Sequence, residues 1–362
     1  MAAEEVMLDR ATAPGFKEAW EGFVRRQNNI GPFYTYTFLE HCVSRAETDG
    51  GQNHSFLVRW KGSEVGIVPL VMEITQKGKL FSSAGGFNTF YAPYISQILG
   101  SREQKLVMDQ VFAEIDRLAA ENGVVACWMT IDPYQSLISD RYNWLCRYGY
   151  IDCTIATNVI DLTNDLETLK AQRRKSYKSL INNGLREFKF CVVDNANYDR
   201  SVFDAYVAMH EKAAGRKTRS QSSFEKQDAA LQKGEATLIA ASLGEVYVHL
   251  AFFHHLNGYV YYSSSAKTPD YDLPRLPTGP PIIWYAIEHF KLAGFRYFET
   301  GWQPLGPQLF DPVDRKHLDI AFFKEGFGGR NTALFRGIKY YDREFMRMDI
   351  EGRVRDMIKR WP

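Results

Sequence analysis

Two stretches of alternating hydrophobic and polar residues predict β-hairpins. The first hairpin has strands over residues 55–60 and 64–72, and the second has strands over residues 237–241 and 245–253. Each pair of strands is joined by a short turn that contains a glycine. The two hairpins therefore have the same layout although they lie far apart in the chain.

A predicted helix and a buried strand follow each hairpin. Apolar residues recur at helical spacing over residues 103–121, and residues 124–131 then form an apolar run. After the second hairpin, Pro280 and Pro281 begin a helix, and a strand follows over residues 295–299. The repeated order predicts a duplicated unit. A hairpin followed by a helix also arises by chance in α/β proteins, so the pattern alone does not decide between duplication and chance similarity.

One helix is predicted over residues 161–184, between the two copies. Asn164 is its expected N-cap, and the Asn-Asn-Gly sequence at residues 182–184 is expected to end it. We place the domain boundary just before this helix, which gives domains of residues 1–157 and 158–362.

Residues 170–189 are strongly basic, whereas acidic and basic residues are nearly equal in number over the whole chain. It has one acid, Glu187, against seven basic residues: Lys170, Arg173, Arg174, Lys175, Lys178, Arg186 and Lys189. Such a run is either a solvated helix face or a surface that binds the phosphates of a ligand. On one continuous helix Arg174 and Lys178 share a face, and Tyr177 lies beside Arg173, where its ring can stack on a base. The second interpretation therefore assigns Arg173, Arg174, Lys175, Tyr177 and Lys178 to substrate binding.

A proline-rich segment precedes the helix that begins at Pro280. Residues 267–281 hold five of the chain's 14 prolines, which excludes regular structure there. The segment is either a stiff connector or, because a helix N-terminus offers unpaired N–H groups, a segment that faces an anion or a carbonyl. In the second case Thr278 and Gly279 contact the substrate.

Composition and charge narrow the class of protein. The length of 362 residues suits two domains, and 45% hydrophobic with 24% charged residues excludes a largely disordered chain. Lys+Arg is 44 and Asp+Glu is 43, so nucleic acid or an anionic membrane must be bound by a local patch. The five cysteines follow no zinc or redox spacing, and no apolar run approaches the ~18 residues of a membrane span. We therefore expect a cytoplasmic protein with no signal peptide and no inserted segment.

Strong motifs of several enzyme classes are missing. The chain has no Walker loop, no zinc-protease motif, no nucleophile elbow and no glycine-rich dinucleotide turn. His254 and His255 are neighbours on a predicted strand, so they point to opposite faces and cannot hold one metal ion together. No metal site is expected.

Four sequence strings occur in the order of a known family. They are NVIDL (158–162) with the basic QRRKSY (172–177), YYSSS (261–265), GFRYFE (294–299) and FFKEGFGG (322–329). With them the chain resembles, over nearly its whole length, the FemAB-like branch of the GNAT acyltransferase superfamily, which is related to the peptidoglycan-bridge aminoacyltransferases. The resemblance implies an α/β (α+β) fold of tandem GNAT-like domains, each a mixed β-sheet flanked by helices, with the catalytic cleft in the second domain.

The resemblance also implies a reaction. It is the transfer of an aminoacyl group from aminoacyl-tRNA to the amine of an acceptor, often a cell-wall precursor, and it consumes no cofactor. In the family the lysine of the last string lies near the reacting ester, and here that residue is Lys324, beside Phe323. A fixed cation aimed at the tetrahedral oxyanion stabilises the transition state more than the ground state. The alternative is that Lys324 is a surface lysine beside a glycine turn.

The general base is less well defined by the sequence. The attacking amine must lose a proton, and Glu299 at the end of its predicted strand, together with Tyr262, is the candidate pair. Proton transfer through a ribose hydroxyl of the tRNA is an equal alternative.

Two departures from the family leave the substrates open. Better-known members carry a long helical hairpin in the second domain, whereas only residues 220–234 are available for it here. The chain also lacks the loop with which GNAT enzymes hold the pyrophosphate of acetyl-CoA, because residues 276–281 hold three prolines that donate no hydrogen bonds. Three functions remain: an aminoacyl-tRNA-dependent N-acyltransferase, an acyl-CoA-dependent N-acyltransferase and a non-catalytic binding protein of the same fold.

Overall fold

The computed structural model describes residues 6–47, 50–82, 90–138, 142–217, 219–269, 277–304 and 306–360. The chain divides into two compact units. The first comprises Met1–Ile155, Gly306–Val313 and Ala333–Pro362, and the second comprises Ala156–Leu305 and Asp314–Thr332. The sequence predicted one change of domain, near residue 157, whereas the chain here returns to the first unit twice.

The first unit contains short strands and four helices within the described residues up to Ile155. The strands are β1 (Val6–Arg10), β2 (Gln52–Asn53), β3 (Phe56–Trp60), β4 (Ser63–Val68), β5 (Val71–Thr75), β6 (Gly78–Phe81), β7 (Phe90–Tyr91), β8 (Tyr94–Ile95), β9 (Val124–Thr130) and β10 (Ile151–Asp152). The helices are α1 (Phe16–Arg25), α2 (Tyr36–Glu47), α3 (Ser101–Asn122) and α4 (Pro133–Ile138), with 3₁₀ turns at Pro32–Tyr34 and Trp144–Tyr148.

The second unit also contains strands and helices. Its strands are β11 (Ile155–Asp161), β12 (Lys189–Val193), β13 (Ala236–Leu243), β14 (Val246–Leu256), β15 (Tyr259–Lys267), β16 (Tyr297–Gln303) and β17 (Arg330–Leu334). Its helices are α5 (Leu166–Gln172), α6 (Tyr177–Glu187), α7 (Arg200–Ala214), α8 (Gln221–Gln232), α9 (Gly279–Leu292) and α10 (Arg315–Glu325). The end of the chain then adds β18 (Arg336–Tyr340) and α11 (Arg343–Arg360) to the first unit.

The first unit has two sheets. One has the strand order β1-β3-β4-β8, and the other has the order β10-β18-β9-β6-β5-β2, with β7 also paired to β9. Helix α3 packs on this unit through Val107, Val111 and Ile115, which recur at helical spacing and are fully buried. Strand β18 lies between β9 and β10, which explains why the last residues of the chain belong here.

One mixed sheet with the order β12-β13-β14-β15-β16-β11-β17 forms the centre of the second unit. Ile239 and Ala241 of β13 lie in a core with α6 and α9, and Leu238 and Ala240 lie in a core with α7 and α8. Successive strand residues point to opposite faces, so the strand is apolar on both faces because helices cover both. None of the described helices is both long enough and apolar enough to cross a membrane.

Both predicted hairpins are confirmed, with one change. Strands β3 and β4 pair antiparallel, as do β13 and β14. The single strand predicted over residues 64–72 is wrong, because β4 ends at Val68 and β5 begins in the other sheet. Pro69, which has no N–H to donate to a sheet, lies at this break.

The single helix predicted over residues 161–184 is also wrong, because the structure has α5 and α6 there. Asp165, rather than Asn164, is the N-cap of α5. The backbone N–H of Arg174 donates to the carbonyl oxygen of Gly326 at 3.0 Å, so a tertiary contact replaces the helical hydrogen bond. The basic residues are therefore divided among α5, α6, the turn that joins them and, for Lys189, the start of β12.

Candidate active site

Two parallel strands in the centre of the second unit diverge. Strands β15 and β16 pair only over Tyr259–Tyr261 and Tyr297–Glu299. Beyond these residues β15 continues to Lys267 along β14, and β16 continues to Gln303 along β11. The backbone edges that face each other past this point are not paired with each other.

A cavity of about 840 Å³ borders this divergence. The described residues that line it come from α6, α7, β14, β15, α9 and α10. They are Tyr177, Leu180, His210, Ala213, Ala214, His249, Tyr262, Ser265, Ala266, Lys267, Pro277, Thr278, Gly279, Pro280, Lys316, Ile320, Phe323 and Lys324. Six of the residues chosen from the sequence thus share one cavity: Lys324, Phe323, Tyr262, Tyr177, Thr278 and Gly279. Residues 270–276 of the proline-rich segment lie outside the described part of the chain.

Lys324 lies in the last turn of α10, where its side chain reaches β16. Gly301 of β16 has a φ of 90°, and a Cβ on it would lie 3.0 Å from Lys324 Nζ. A glycine at residue 301 therefore leaves the space that the ammonium group occupies. Burial lowers the pKa of Lys324 to about 8, and the charge of Glu299 opposes this shift.

Glu299 is buried with 2% of its surface exposed, and it does not line the cavity. Its carboxylate accepts hydrogen bonds from Thr157 Oγ1 at 2.5 Å and from the Tyr259 hydroxyl at 2.9 Å. Burial raises the pKa of Glu299 to about 7, and the two hydrogen bonds and Lys324 oppose the rise. Glu299 is thus placed to act on Lys324 rather than on a substrate.

Tyr262 lines the cavity, and its hydroxyl lies 2.5 Å from Ser265 Oγ. Burial raises the pKa of Tyr262 to about 12. The phenol is therefore protonated at neutral pH, and it can hold a substrate by a hydrogen bond but cannot remove a proton from it.

Close packing against glycines holds the aromatic residues of the site. A Cβ on Gly279 would lie 3.0 Å from the ring of Phe323, and a Cβ on Gly326 would lie 2.5 Å from the ring of Tyr177. The Tyr177 hydroxyl donates to the carbonyl oxygen of Phe323 at 3.0 Å. Tyr177 thus fixes the end of α10, and 7% of the residue's surface is exposed.

The basic residues from Arg173 to Lys178 fall into two groups. Arg173 stacks on Trp284 with its guanidinium carbon 4.1 Å from the ring centroid. Arg174 stacks on Phe322 at 3.5 Å and donates to its carbonyl oxygen at 2.7 Å. These two arginines hold helices together, whereas Lys175 and Lys178 are exposed.

The sequence did not single out His249, which also lines the cavity. Its Nδ1 lies 3.0 Å from Thr278 Oγ1, and its Nε2 has no hydrogen-bond partner among the described residues. Burial lowers the pKa of His249 to about 4, and the charge of Lys267 adds to the effect. A lone histidine in an apolar strand carries no motif, so only the fold reveals that it shares a cavity with Lys324.

The described residues contain no cluster of three or more histidine, cysteine or acidic side chains placed to hold a metal ion. Among the described residues, the lysines on the cavity wall are Lys267, Lys316 and Lys324. Such a wall favours anions and disfavours a protonated amine.

Comparison with known proteins identifies the fold. No protein-family model and no curated protein sequence matches the chain. FemX matches it with a TM-score of 0.65 at 12% identity, over 92% of this chain and 98% of that one. The chain has the fold of FemX. L-PGS from Bacillus licheniformis matches with a TM-score of 0.57 at 13% identity, over 97% of this chain and 98% of that one.

A third solved structure supports the same fold. It is the C-terminal domain of a putative lysylphosphatidylglycerol synthetase from Agrobacterium fabrum, with a TM-score of 0.55 at 13% identity, over 93% of this chain and 95% of that one. The resemblance to the FemAB-like branch is therefore confirmed at the level of the fold, and so is the mixed α/β class.

Proposed function

We propose that the protein is an acyltransferase that moves an aminoacyl group from the ester of an aminoacyl-tRNA to the amine of a small or peptide-like acceptor. The observation that carries the proposal is Lys324, whose ammonium group is held in a cavity at the point where β15 and β16 diverge. An extended substrate can use the unpaired strand edges at this point, and its reacting carbonyl then lies near the lysine.

Lys324 acts on the charge that develops during the reaction. The acceptor nitrogen attacks the ester carbonyl carbon, a C–N bond forms and the carbonyl oxygen becomes an oxyanion. A fixed ammonium group in a buried site stabilises this oxyanion more than it stabilises the neutral ester. The C–O bond of the ester then breaks, and the proton lost by the amine ends on the oxygen that leaves.

Glu299 sets the state of Lys324 in this proposal. It raises the pKa of a lysine that burial would otherwise lower further, so more of the lysine is protonated at neutral pH. Thr157 and Tyr259 hold the carboxylate in place. Glu299 is thus a positioning residue rather than a group that touches the substrate.

Two observations favour an aminoacyl ester over acyl-CoA as the donor. Pro280 and Pro281 open α9 and provide no N–H groups for a pyrophosphate. Lysylphosphatidylglycerol synthetase, whose name states an aminoacylated product, has the same fold. Lys175 and Lys178 are the exposed basic residues that we assign to the phosphates of the RNA.

The test supplies purified protein with a donor and a panel of amines that includes peptidoglycan precursors. One reaction contains an aminoacyl-tRNA with a radiolabelled amino acid, and a parallel one contains a labelled acyl-CoA. We expect labelled amide from the first donor and none from the second. Amide from acyl-CoA alone would identify an ordinary N-acyltransferase, and no amide from either donor would favour a binding protein.

A further inference from the structure

His249 is a buried residue with no role in the steps described under the proposed function. It lies on β14 with 5% of its surface exposed and lines the same cavity as Lys324. Its Nδ1 is tied to Thr278 Oγ1 at 3.0 Å, and its Nε2 has no hydrogen-bond partner among the described residues. A buried polar atom without a partner is costly, so such an atom in a cavity wall points to a partner supplied by a ligand.

Burial and the charge of Lys267 keep the ring neutral. The titratable side chains of the described residues that line the cavity with it are Lys267 and Tyr262 on β15, Lys316 and Lys324 on α10, His210 on α7 and Tyr177 on α6. Burial disfavours a positive charge on the ring, and the charge of Lys267 adds to this effect, so the pKa of His249 is lowered to about 4. A neutral imidazole has one N–H and one nitrogen that can accept a proton.

We propose that His249 Nε2 accepts the proton of the attacking amine, which makes His249 a catalytic residue of the acyl transfer; this inference rests on the proposed function. In this proposal Nδ1–H donates a hydrogen bond to Thr278 Oγ1, which leaves the accepting lone pair on Nε2. Thr278 is the N-cap of α9, which places it at the same wall as Gly279.

The proton balance of the step is complete without another reactant. Attack forms the C–N bond and leaves the nitrogen positively charged. This nitrogen gives a proton to Nε2, and the imidazolium returns it to the ester oxygen while the C–O bond breaks and its electron pair goes to that oxygen. Because the surroundings disfavour the imidazolium, it is a strong acid for the return step. Ester and amine become amide and alcohol.

The experiment compares His249→Gln with His255→Gln as the matched control. His255 is on the same strand, its Nε2 lies 3.0 Å from the hydroxyl of Thr237, and it does not line the cavity. With aminoacyl-tRNA and an amine that the wild type uses, we expect His249→Gln to lose kcat by roughly 10²- to 10⁴-fold, with the acceptor KM little changed. His255→Gln should keep the wild-type kcat.

A rescue measurement separates a chemical role from a structural one. His249→Ala should regain part of its kcat when imidazole is added, whereas pyrrole, a ring of the same size without a basic nitrogen, should not restore it. Full activity of a folded His249→Gln protein, or equal rescue by pyrrole, would overturn the role of His249 while the proposed function stands. A wild-type protein that transfers no aminoacyl group to any amine would overturn the proposed function, and this inference with it.

Discussion

Lys324 and Glu299 are shifted toward neutrality by the same cause. Burial lowers the pKa of the lysine and raises that of the carboxyl, and each charge partly offsets the shift of the other. Paired shifts of this kind, with one of the two groups in a cavity wall, are typical of functional sites. The proposed mechanism depends on the ammonium group of Lys324.

Replacement of Lys324 by methionine removes this charge and keeps most of the apolar stem. We expect kcat to fall by roughly 10²- to 10³-fold with little change in the acceptor KM, because an interaction made mainly in the transition state is lost. Steady-state kinetics check this, with Lys212→Met as a control because Lys212 is an exposed lysine of α7 that does not line the cavity. A folded Lys324→Met protein with wild-type kcat would remove Lys324 from the mechanism.

The pH dependence of kcat in a Glu299→Gln variant tests whether Glu299 raises the pKa of Lys324. The wild type should lose kcat as pH rises through about 8, where Lys324 deprotonates. Glu299 raises the pKa of Lys324, so its neutral replacement lowers that pKa and moves the alkaline limb of the profile to lower pH. An alkaline limb at the wild-type position in the variant would show that Glu299 does not set the state of Lys324.

Helices α6 and α9 approach closely at Gly184. A Cβ on this residue would lie 2.1 Å from Pro281 Cγ and 2.6 Å from Pro281 Cβ, so the proline ring or a helix must move. We expect Gly184→Ala to reduce the free energy of unfolding by about 1–3 kcal/mol and to lower the Tm. Because α9 carries Thr278 and Gly279 into the cavity wall, a shift of this helix also reaches the site.

Gly352 of α11 is the matched control for this prediction. A Cβ on it meets no atom within 4 Å, so alanine there relieves the cost of a helical glycine, about 0.5–1 kcal/mol. Calorimetry should show a lower Tm for Gly184→Ala and an equal or higher Tm for Gly352→Ala. Equal Tm values for Gly184→Ala and the wild type would contradict the close approach of α6 and α9 at Gly184.

Elements with strong local signals were predictable from the sequence. Helix α3, predicted over residues 103–121, runs from Ser101 to Asn122, and Pro280 and Pro281 do stand in the first turn of α9. A tertiary contact caused one of the errors. The break between α5 and α6 depends on a hydrogen bond from Arg174 to Gly326, more than 150 residues away, which no local pattern contains.

The candidate site was predictable where a residue belongs to a motif or to the proline-rich segment. The FFKEGFGG string led to Lys324 and Phe323, and the structure places both in a cavity wall. His249 belongs to no motif and was missed, since its partner Thr278 is separated from it by 29 residues and a change of element. The roles assigned from the sequence to Arg173, Arg174 and Tyr177 assumed a continuous helix, and these side chains instead pack against Trp284, Phe322 and Phe323.

The net charge of the whole protein is +1, so the proposed function requires that a local patch of basic residues binds the tRNA. We expect replacement of Lys175 and Lys178 by alanine to flatten the dependence of log K for charged tRNA on log salt by roughly one to two units, because fewer counterions are released. Titrations at several salt concentrations measure this slope. A Lys212→Ala, Lys217→Ala double variant, which removes two other exposed lysines, should keep the wild-type slope.

The internal duplication stays a prediction. Both units contain an antiparallel hairpin, a long helix and a following strand in the same order: β3-β4, α3 and β9 in one, and β13-β14, α9 and β16 in the other. Superposition of residues 55–131 on residues 237–299 would test it, and failure of these segments to superpose would contradict it.

The most direct test of the proposed function is the formation of an amide from an intact aminoacyl-tRNA. Purified protein and an acceptor amine are mixed either with tRNA that carries a labelled amino acid or with the same tRNA deacylated in mild base plus the free labelled amino acid. The proposed function predicts labelled amide in the first mixture and none in the second. Amide in both mixtures, or in neither while acyl-CoA supports the reaction, would contradict it.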